Sequence, residues 1–297
     1  MTAVWVAWFL IGCVVGSFLN VCIYRMPREQ SIVHPRSRCP HCAHPIAWYD
    51  NVPLLSFLDL RGRCRHCQHP IHWRYPVVEA LSGVAAVVVL HRVGTGPVGL
   101  IYLCFVWALL VASVIDLDFQ IIPDEISLGG LVVGLAVSPL VPQLHGTTHA
   151  WLSLMRAGMG AFVGGGLIYT TGLAGDLMLV GLRRLGIRLR RNPYWRAKLA
   201  KYRHMKEAIG GGDVKLLAMA GSLMGWKLIT VTFFLAPLLA VIPGLVVLVT
   251  RRSHIIPYGP FLSLAMVVSL FAGNRLLQVT GIEESVRVLW SFYGWAH

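Results

Sequence analysis

Glu207-Ala208-Ile209-Gly210-Gly211-Gly212-Asp213-Val214-Lys215-Leu216-Leu217 runs three glycines into a carboxylate and then directly into an apolar segment. Glycines let the backbone pack closely, and an ionisable group at the mouth of an apolar helix is costly enough to need a purpose. A second apolar run ends in acid far earlier in the chain, at Ile115-Asp116-Leu117-Asp118-Phe119-Gln120-Ile121-Ile122-Pro123-Asp124. Two aspartates at two helix ends suggest a carboxylate pair, in a chain whose helices are read by membrane rules.

Composition supports those rules. Of the 297 residues, 56% are hydrophobic and 13% charged, and the mean hydropathy is +0.65. Such a chain is predicted to be an all-α integral membrane protein rather than a pair of soluble domains. Apolar spans are expected at about Val4–Tyr24, Val77–Leu90, Val98–Ile115, Ile126–Leu140, Ala157–Ala174, Val214–Trp226, Leu228–Thr250 and Phe261–Phe271. That makes about eight transmembrane helices, several of them short for a hydrocarbon core that needs some 17 residues or more. No internal repeat is expected.

The formal net charge of +13 could suggest nucleic acid, but its placement favours orientation by the positive-inside rule. Most Lys and Arg fall after the first span, between Arg183 and Lys206, and at Arg251 and Arg252. With eight spans these loops share one side, which is then the cytoplasm, and both termini face outward. The first span lacks a preceding basic region and is followed by arginines, so it is expected to be retained. The chain divides into a first transmembrane helix at 1–24, a cytoplasmic loop at 25–76, and a multi-helix membrane domain at 77–297. That domain carries a basic insertion at about 176–206. Its alternating basic and apolar residues suit an anionic lipid surface; no nucleic-acid module is present, and no nucleic-acid partner is expected.

The first loop holds Cys39-Pro40-His41-Cys42 and Cys64-Arg65-His66-Cys67. Two Cys-x-x-Cys knuckles on a cytosolic loop point to metal rather than disulfides, and four thiolates close a tetrahedral zinc site. A closed site is structural, not catalytic. The alternative is a set of reduced, unliganded thiols. Cys13, Cys22 and Cys104 lie in spans and are read as small buried residues.

Other polar residues have weaker claims. Asn20 lies near the end of the first span, after Gly16 and Ser17, where helix packing alone could explain it. Glu79 enters the second span within its first turn and either complements the helix dipole or joins a site. Asp118, two residues beyond Asp116, points about 200° away from it on a helix and is not expected to act with it. Asp124 and Glu125 are read as first-turn acids after Pro123. Lys215 enters the sixth span beside Asp213.

Taken in order, the motifs resemble those of the type IV prepilin leader peptidases. They are Gly16-Ser17-Phe18-Leu19-Asn20-Val21 with Tyr24-Arg25-Met26-Pro27, both knuckles, Arg74-Tyr75-Pro76 with Glu79, and Asp116 with Pro123-Asp124. Gly210-Gly211-Gly212-Asp213-Val214-Lys215 and Pro257-Tyr258-Gly259-Pro260 complete the set. The resemblance implies a bacterial inner-membrane aspartic endopeptidase. Such an enzyme removes the basic leader of prepilins or pseudopilins after a glycine at the cytoplasmic membrane face. It maps the two catalytic aspartates onto Asp116 and Asp213, with Gly210 and Gly212 in the Gly-x-Gly-Asp signature. It also implies S-adenosylmethionine-dependent methylation of the new amino terminus, although no glycine-rich cofactor fingerprint is present and the cofactor's residues are not legible. The long basic insertion departs from the family's shorter connection.

The chemistry is consistent. Hydrolysis without a nucleophilic Ser or Cys needs a water deprotonated as it attacks and a proton for the departing amine, and two carboxylates sharing one proton supply both. Three other readings compete: a peptidase lacking methyl transfer, an ion transporter, and a non-catalytic assembly scaffold. Transport is disfavoured because the acids gather at one face and no repeat pairs the helices.

Overall fold

The structure is a computed structural model describing residues 2–189, 210–251 and 257–280. Among these residues every regular element is helical: α1 (Thr2–Arg25), α2 (Leu55–Asp59), α3 (Arg74–Val93), α4 (Pro97–Phe119), α5 (Asp124–Val137), α6 (Ala150–Leu189), α7 (Gly211–Arg251) and α8 (Gly259–Thr280). The stretch from Arg190 to Ile209, with most of the basic insertion, and the aromatic tail after Gly281 lie outside the described residues.

Among the described residues, five helices are long and apolar enough to cross a membrane: Thr2–Arg28, Arg74–Val93, Pro97–Phe119, Ala150–Met178 and Gly211–Val241. The protein is therefore a multi-pass membrane protein. Three differences separate this from the expected eight spans. Helix α5 has 14 residues, about 21 Å at 1.5 Å per residue. The apolar part of α8 covers only Gly259–Gly273. The expected sixth and seventh spans follow one another in α7 with no loop, meeting at Gly225 (φ 78, ψ 167). Only glycine adopts that conformation without strain, so the helix changes direction there while the chain stays continuous.

The described residues form two compact units, one drawn from 1–126 with 243–267 and the other from 127–242 with 268–297. In the first, α1 lies against α3 at backbone distance. A Cβ on Gly12 would sit 2.6 Å from the Ser82 carbonyl oxygen, and one on Gly16 would sit 2.7 Å from Glu79 Cα. This is the small-xxx-small contact by which membrane helices gain dispersion energy that lipid cannot match. Trp107 ties α4 to the same place, its indole N–H donating to the Ser82 carbonyl at 3.2 Å. Gly94 ends α3 with φ 102, and Pro97 at the first turn of α4 restarts the chain where no N–H is needed.

In the second unit, glycines again set the spacing. Gly130 and Gly134 of α5 meet Met219 and Ser222 of α7, while Gly160 and Gly164 of α6 lie on the α7 backbone at Gly221 and Leu217. The α5–α6 connection is closed by polar bonds: Ser138 Oγ lies 3.1 Å from His145 Nε2, Ser153 donates to the Ser138 carbonyl at 2.7 Å, and Arg156 donates to the His145 carbonyl at 2.7 Å. Large apolar side chains face outward on both units, Val14 and Phe162 among them, Phe162 being 81% exposed. A bilayer supplies the cover such surfaces need.

Candidate active site

Asp116 sits in the last turn of α4, 7% exposed. Its Oδ2 accepts the backbone N–H of Gly259 at 2.9 Å. Gly259 is the first residue of α8, and the leading N–H groups of any helix have no partner inside it. Within a membrane such a donor must still be satisfied, so the carboxylate caps α8 and gains from the positive end of its dipole. The cap leaves no room for a side chain: a Cβ on Gly259 would stand 2.8 Å from Asp116 Oδ2 and 3.1 Å from its Cγ. Sequence reasoning gave Pro257-Tyr258-Gly259-Pro260 as one of the resembling motifs, with no role for Gly259. Its readable signal was a helix start in apolar surroundings with an N–H to satisfy.

Asp118 turns the other way, as its position on the helix predicts. It pairs with Arg74 at the start of α3. Helix α4 ends immediately afterwards, Gln120 taking the left-handed conformation (φ 56) and returning its N–H to the Asp116 carbonyl at 2.9 Å.

Asp213 stands in the first turn of α7, half-buried, with its N–H on the Gly210 carbonyl at 3.1 Å. Gly210 and Gly211 are exposed, and Gly212 and Lys215 are half-buried. A Cβ on Gly210 would meet only Asp213 Oδ2, at an ordinary 3.8 Å. Crowding within the described residues thus does not explain this glycine. Asp116 belongs to the first compact unit and Asp213 to the second.

Asn20 and Glu79 come together in the first unit. Asn20 Nδ2 donates to the Gly16 carbonyl at 3.3 Å and to the Tyr75 carbonyl at 3.1 Å, which leaves its buried Oδ1 without a partner. Glu79 Oε2 accepts the Leu54 N–H at 2.9 Å, and Ser17 also bonds this carboxylate. Arg25, whose role the sequence did not disclose, donates to the carbonyls of Ser31 at 2.8 Å and Pro35 at 2.7 Å, folding the start of the loop back on α1.

The four knuckle cysteines converge, with ligand atoms all within 4.8 Å of one another. Cys39 Sγ and Cys67 Sγ are 3.8 Å apart. A tetrahedral ion with bonds of about 2.3 Å to sulfur requires sulfur–sulfur edges of about 3.8 Å, so the donor set fits a metal such as zinc. The thiols hold their protons unequally. The N–H groups of Cys67 and His66 bring Cys64 down to about 7. At Cys67 the His69 N–H acts in the same direction but is outweighed by burial and bonding to the other thiols, which push it up to about 12.

The expectation of no internal repeat is overturned here. Arg38-Cys39-Pro40-His41-Cys42-Ala43-His44-Pro45 and Arg63-Cys64-Arg65-His66-Cys67-Gln68-His69-Pro70 share one pattern and one backbone. Cys39 N–H bonds the His44 carbonyl as Cys64 N–H bonds that of His69, and Ala43 and Gln68 share φ 56. The histidines cross between copies, His41 stacking on His69 with centroids 4.2 Å apart and His44 meeting His66 at 3.4 Å. The signal of the repeat lies in the Arg, His and Pro that both copies share, beyond the cysteine spacing.

Comparison with known proteins agrees with these motifs. Residues 10–93 match the bacterial peptidase A24 N-terminal domain, and residues 103–245 match the type IV leader peptidase family. A protein named prepilin leader peptidase/N-methyltransferase from Aeromonas hydrophila is 34% identical over 295 residues, covering 90% of each chain. Proteins of the same name are 32% identical in Pseudomonas putida, over 90% of each chain, and 31% identical in Pseudomonas aeruginosa, over 92% of this chain and 93% of that one. No solved structure matches the chain with significance. The chain belongs to the type IV leader peptidase family.

Proposed function

We propose that this protein is a prepilin leader peptidase and N-methyltransferase of a bacterial inner membrane. It cuts type IV prepilins or pseudopilins after a glycine at the cytoplasmic face and then methylates the exposed amino terminus. The observation that carries the peptidase reading is Asp116, a buried carboxylate at the end of an apolar helix, oriented by the Gly259 N–H.

Asp116 and Asp213 act as the pair. The ionised member takes a proton from water as its oxygen attacks the scissile carbonyl. The protonated member gives its proton to the amine as the carbon–nitrogen bond breaks. The two form one titrating system, so neither is assigned the proton alone. Gly210 and Gly212 leave an extended substrate free to approach Asp213, and Lys215 lies one turn into the same helix. The bond from Gly259 leaves the Asp116 carboxyl group little freedom to rotate away from its task.

Zinc held by Cys39, Cys42, Cys64 and Cys67 orders the first loop. S-adenosylmethionine, when bound, would supply an electrophilic methyl group for the new amino terminus. An eight-span arrangement, with α5, the two parts of α7 and α8 all crossing, puts the basic loops on the cytoplasmic side. Membrane lipid and the pilin precursor are the partners.

The test is the intact mass of a prepilin incubated with purified protein, with and without S-adenosylmethionine, for wild type, Asp116→Asn and Asp213→Asn. Leader loss in wild type alone, with a further methyl mass when the donor is present, is expected. Cleavage by both variants would refute the pair.

A further inference from the structure

We propose that the cavity between the facing ends of α1 and α3, roofed by the knuckle loop, is the S-adenosylmethionine site. In it Glu79 and Asn20 accept the ligand's N–H and O–H groups, and Arg74 donates to its carboxylate. The inference rests on the methyl-transfer reading and names where that chemistry takes place.

The cavity has a volume of ≈ 1240 Å³. Sites for small organic ligands run to about 300–1,000 Å³, so a nucleoside-sized donor fits with space left for the end of an acceptor chain. Three of its polar groups are buried with bonding capacity unused. Asn20 is 3% exposed with an unpartnered Oδ1, and Arg74 Nε is buried without an acceptor. Glu79, 9% exposed, spends part of its capacity on Leu54 and Ser17. An ionised carboxylate offers about four lone-pair positions, and among the described residues no cation pairs with this one. Buried polar groups are almost always satisfied, so unused donors and acceptors around one cavity describe their missing partner.

That partner presents several donors and one acceptor of negative charge. S-adenosylmethionine does so with its ribose hydroxyls, its ammonium and amino groups, and its carboxylate. A carboxylate receiving a ribose diol is an established mode of nucleoside recognition. The aromatic wall suits the rest, since Tyr24 and Phe119 both stack on Arg28, with centroids 4.1 and 5.0 Å from its guanidinium carbon, and adenine and a sulfonium favour such surfaces. A Lys- and Arg-rich leader is a poorer match, because Arg25, Arg28, Arg65 and Arg74 line the same space and like charges oppose it.

Two further observations support a built site. Leu54, which binds Glu79 through its N–H, holds φ 61 and ψ −47, a conformation a branched side chain resists. The cavity also reaches Asp118 and Phe119, within one helical turn of Asp116 on α4.

The experiment measures binding of labelled S-adenosylmethionine to the purified full chain by equilibrium dialysis, for wild type, Glu79→Gln and Asn20→Ala. Each substitution is expected to weaken binding about tenfold, the loss appropriate to one buried bond to a charged or polar partner. In parallel, ultraviolet cross-linking of the same ligand to wild type is expected to label residues within 17–79 or 116–119, a readout independent of whether the variants fold. Wild-type affinity in both variants, or a label confined to 127–242, overturns the site. Absence of any binding to active peptidase overturns the methyl-transfer reading beneath it.

Discussion

The backbone N–H of Gly259 donates to Asp116 Oδ2 at 2.9 Å, joining residues 143 positions apart in sequence. One atom pair thus sets the end of α4 against the start of α8, and the carboxylate that caps this helix is the one proposed to act in peptide hydrolysis.

Replacing Gly259 by Ala puts a methyl group where the Asp116 carboxyl now lies, 2.8 Å from Oδ2. The carboxyl group must swing away. Misplacement of a reacting group by about 1 Å costs on the order of 10²-fold in rate, and the Gly259→Ala enzyme is expected to lose about that much cleavage in initial-rate assays while its metal content stays that of wild type. Cleavage within threefold of wild type would sink the positioning role.

If Asp116 and Asp213 form the proposed proton-sharing pair, Asp116→Asn and Asp213→Asn are each expected to reduce cleavage as far as the double variant does. Single-turnover assays on all three proteins decide it. Additive losses would mean that the carboxylates act separately.

One zinc per chain is expected in purified protein, measured by atomic absorption. Cys39→Ser and Cys64→Ser occupy matching places in the two knuckles and should lower the metal content alike. Full metal in either variant would show that the four thiols are not its ligands.

Gly16→Ala would drive a Cβ to 2.7 Å from the Glu79 Cα, a backbone atom that cannot swing aside. Overpacking of this kind costs about 1–3 kcal/mol. A lowered thermal midpoint in detergent is expected. Gly166→Ala, at a site with open space, should change it little; equal shifts in the two variants would refute the close-packing account.

His145 titrates below its ordinary range because it is buried, with Arg156 nearby adding to the effect while its bond to the Ser222 carbonyl opposes it. The unfolded chain, titrating near pH 6.5 at this residue, therefore takes up a proton first. The stability gained from neutral His145 is complete above that pH and is lost as pH falls through 6.5 towards the folded value. Thermal melts from pH 7.5 to 5.5 should show the loss, and His145→Gln should flatten it; an unchanged slope in that variant would assign the dependence to other groups.

The sequence disclosed what carries charge or sulfur within an apolar background. Asp116, Asp213 and the four cysteines stood out for that reason, and the opposite facing of Asp116 and Asp118 followed from helix geometry alone. Gly259 was visible only as part of the Pro257–Pro260 motif, because its contribution is a backbone N–H, which every residue but proline possesses; the tertiary contact discloses its role. Asn20 and Glu79 were visible as candidates, but their convergence depends on the spacing of α1 and α3 set by Gly12 and Gly16. The change of helix direction at Gly225 was not legible, because a kink without an intervening loop has no polar marker.

The last turn of α4 has two attachments. Asp118 holds Arg74 and through it the neighbourhood of the metal loop, while Asp116 holds the amide that begins α8. The two side chains are separated along the axis by about 3 Å and point about 200° apart. A turn of helix pinned on opposite sides is held against rotation about its own axis, and this fixes the direction in which the acid faces.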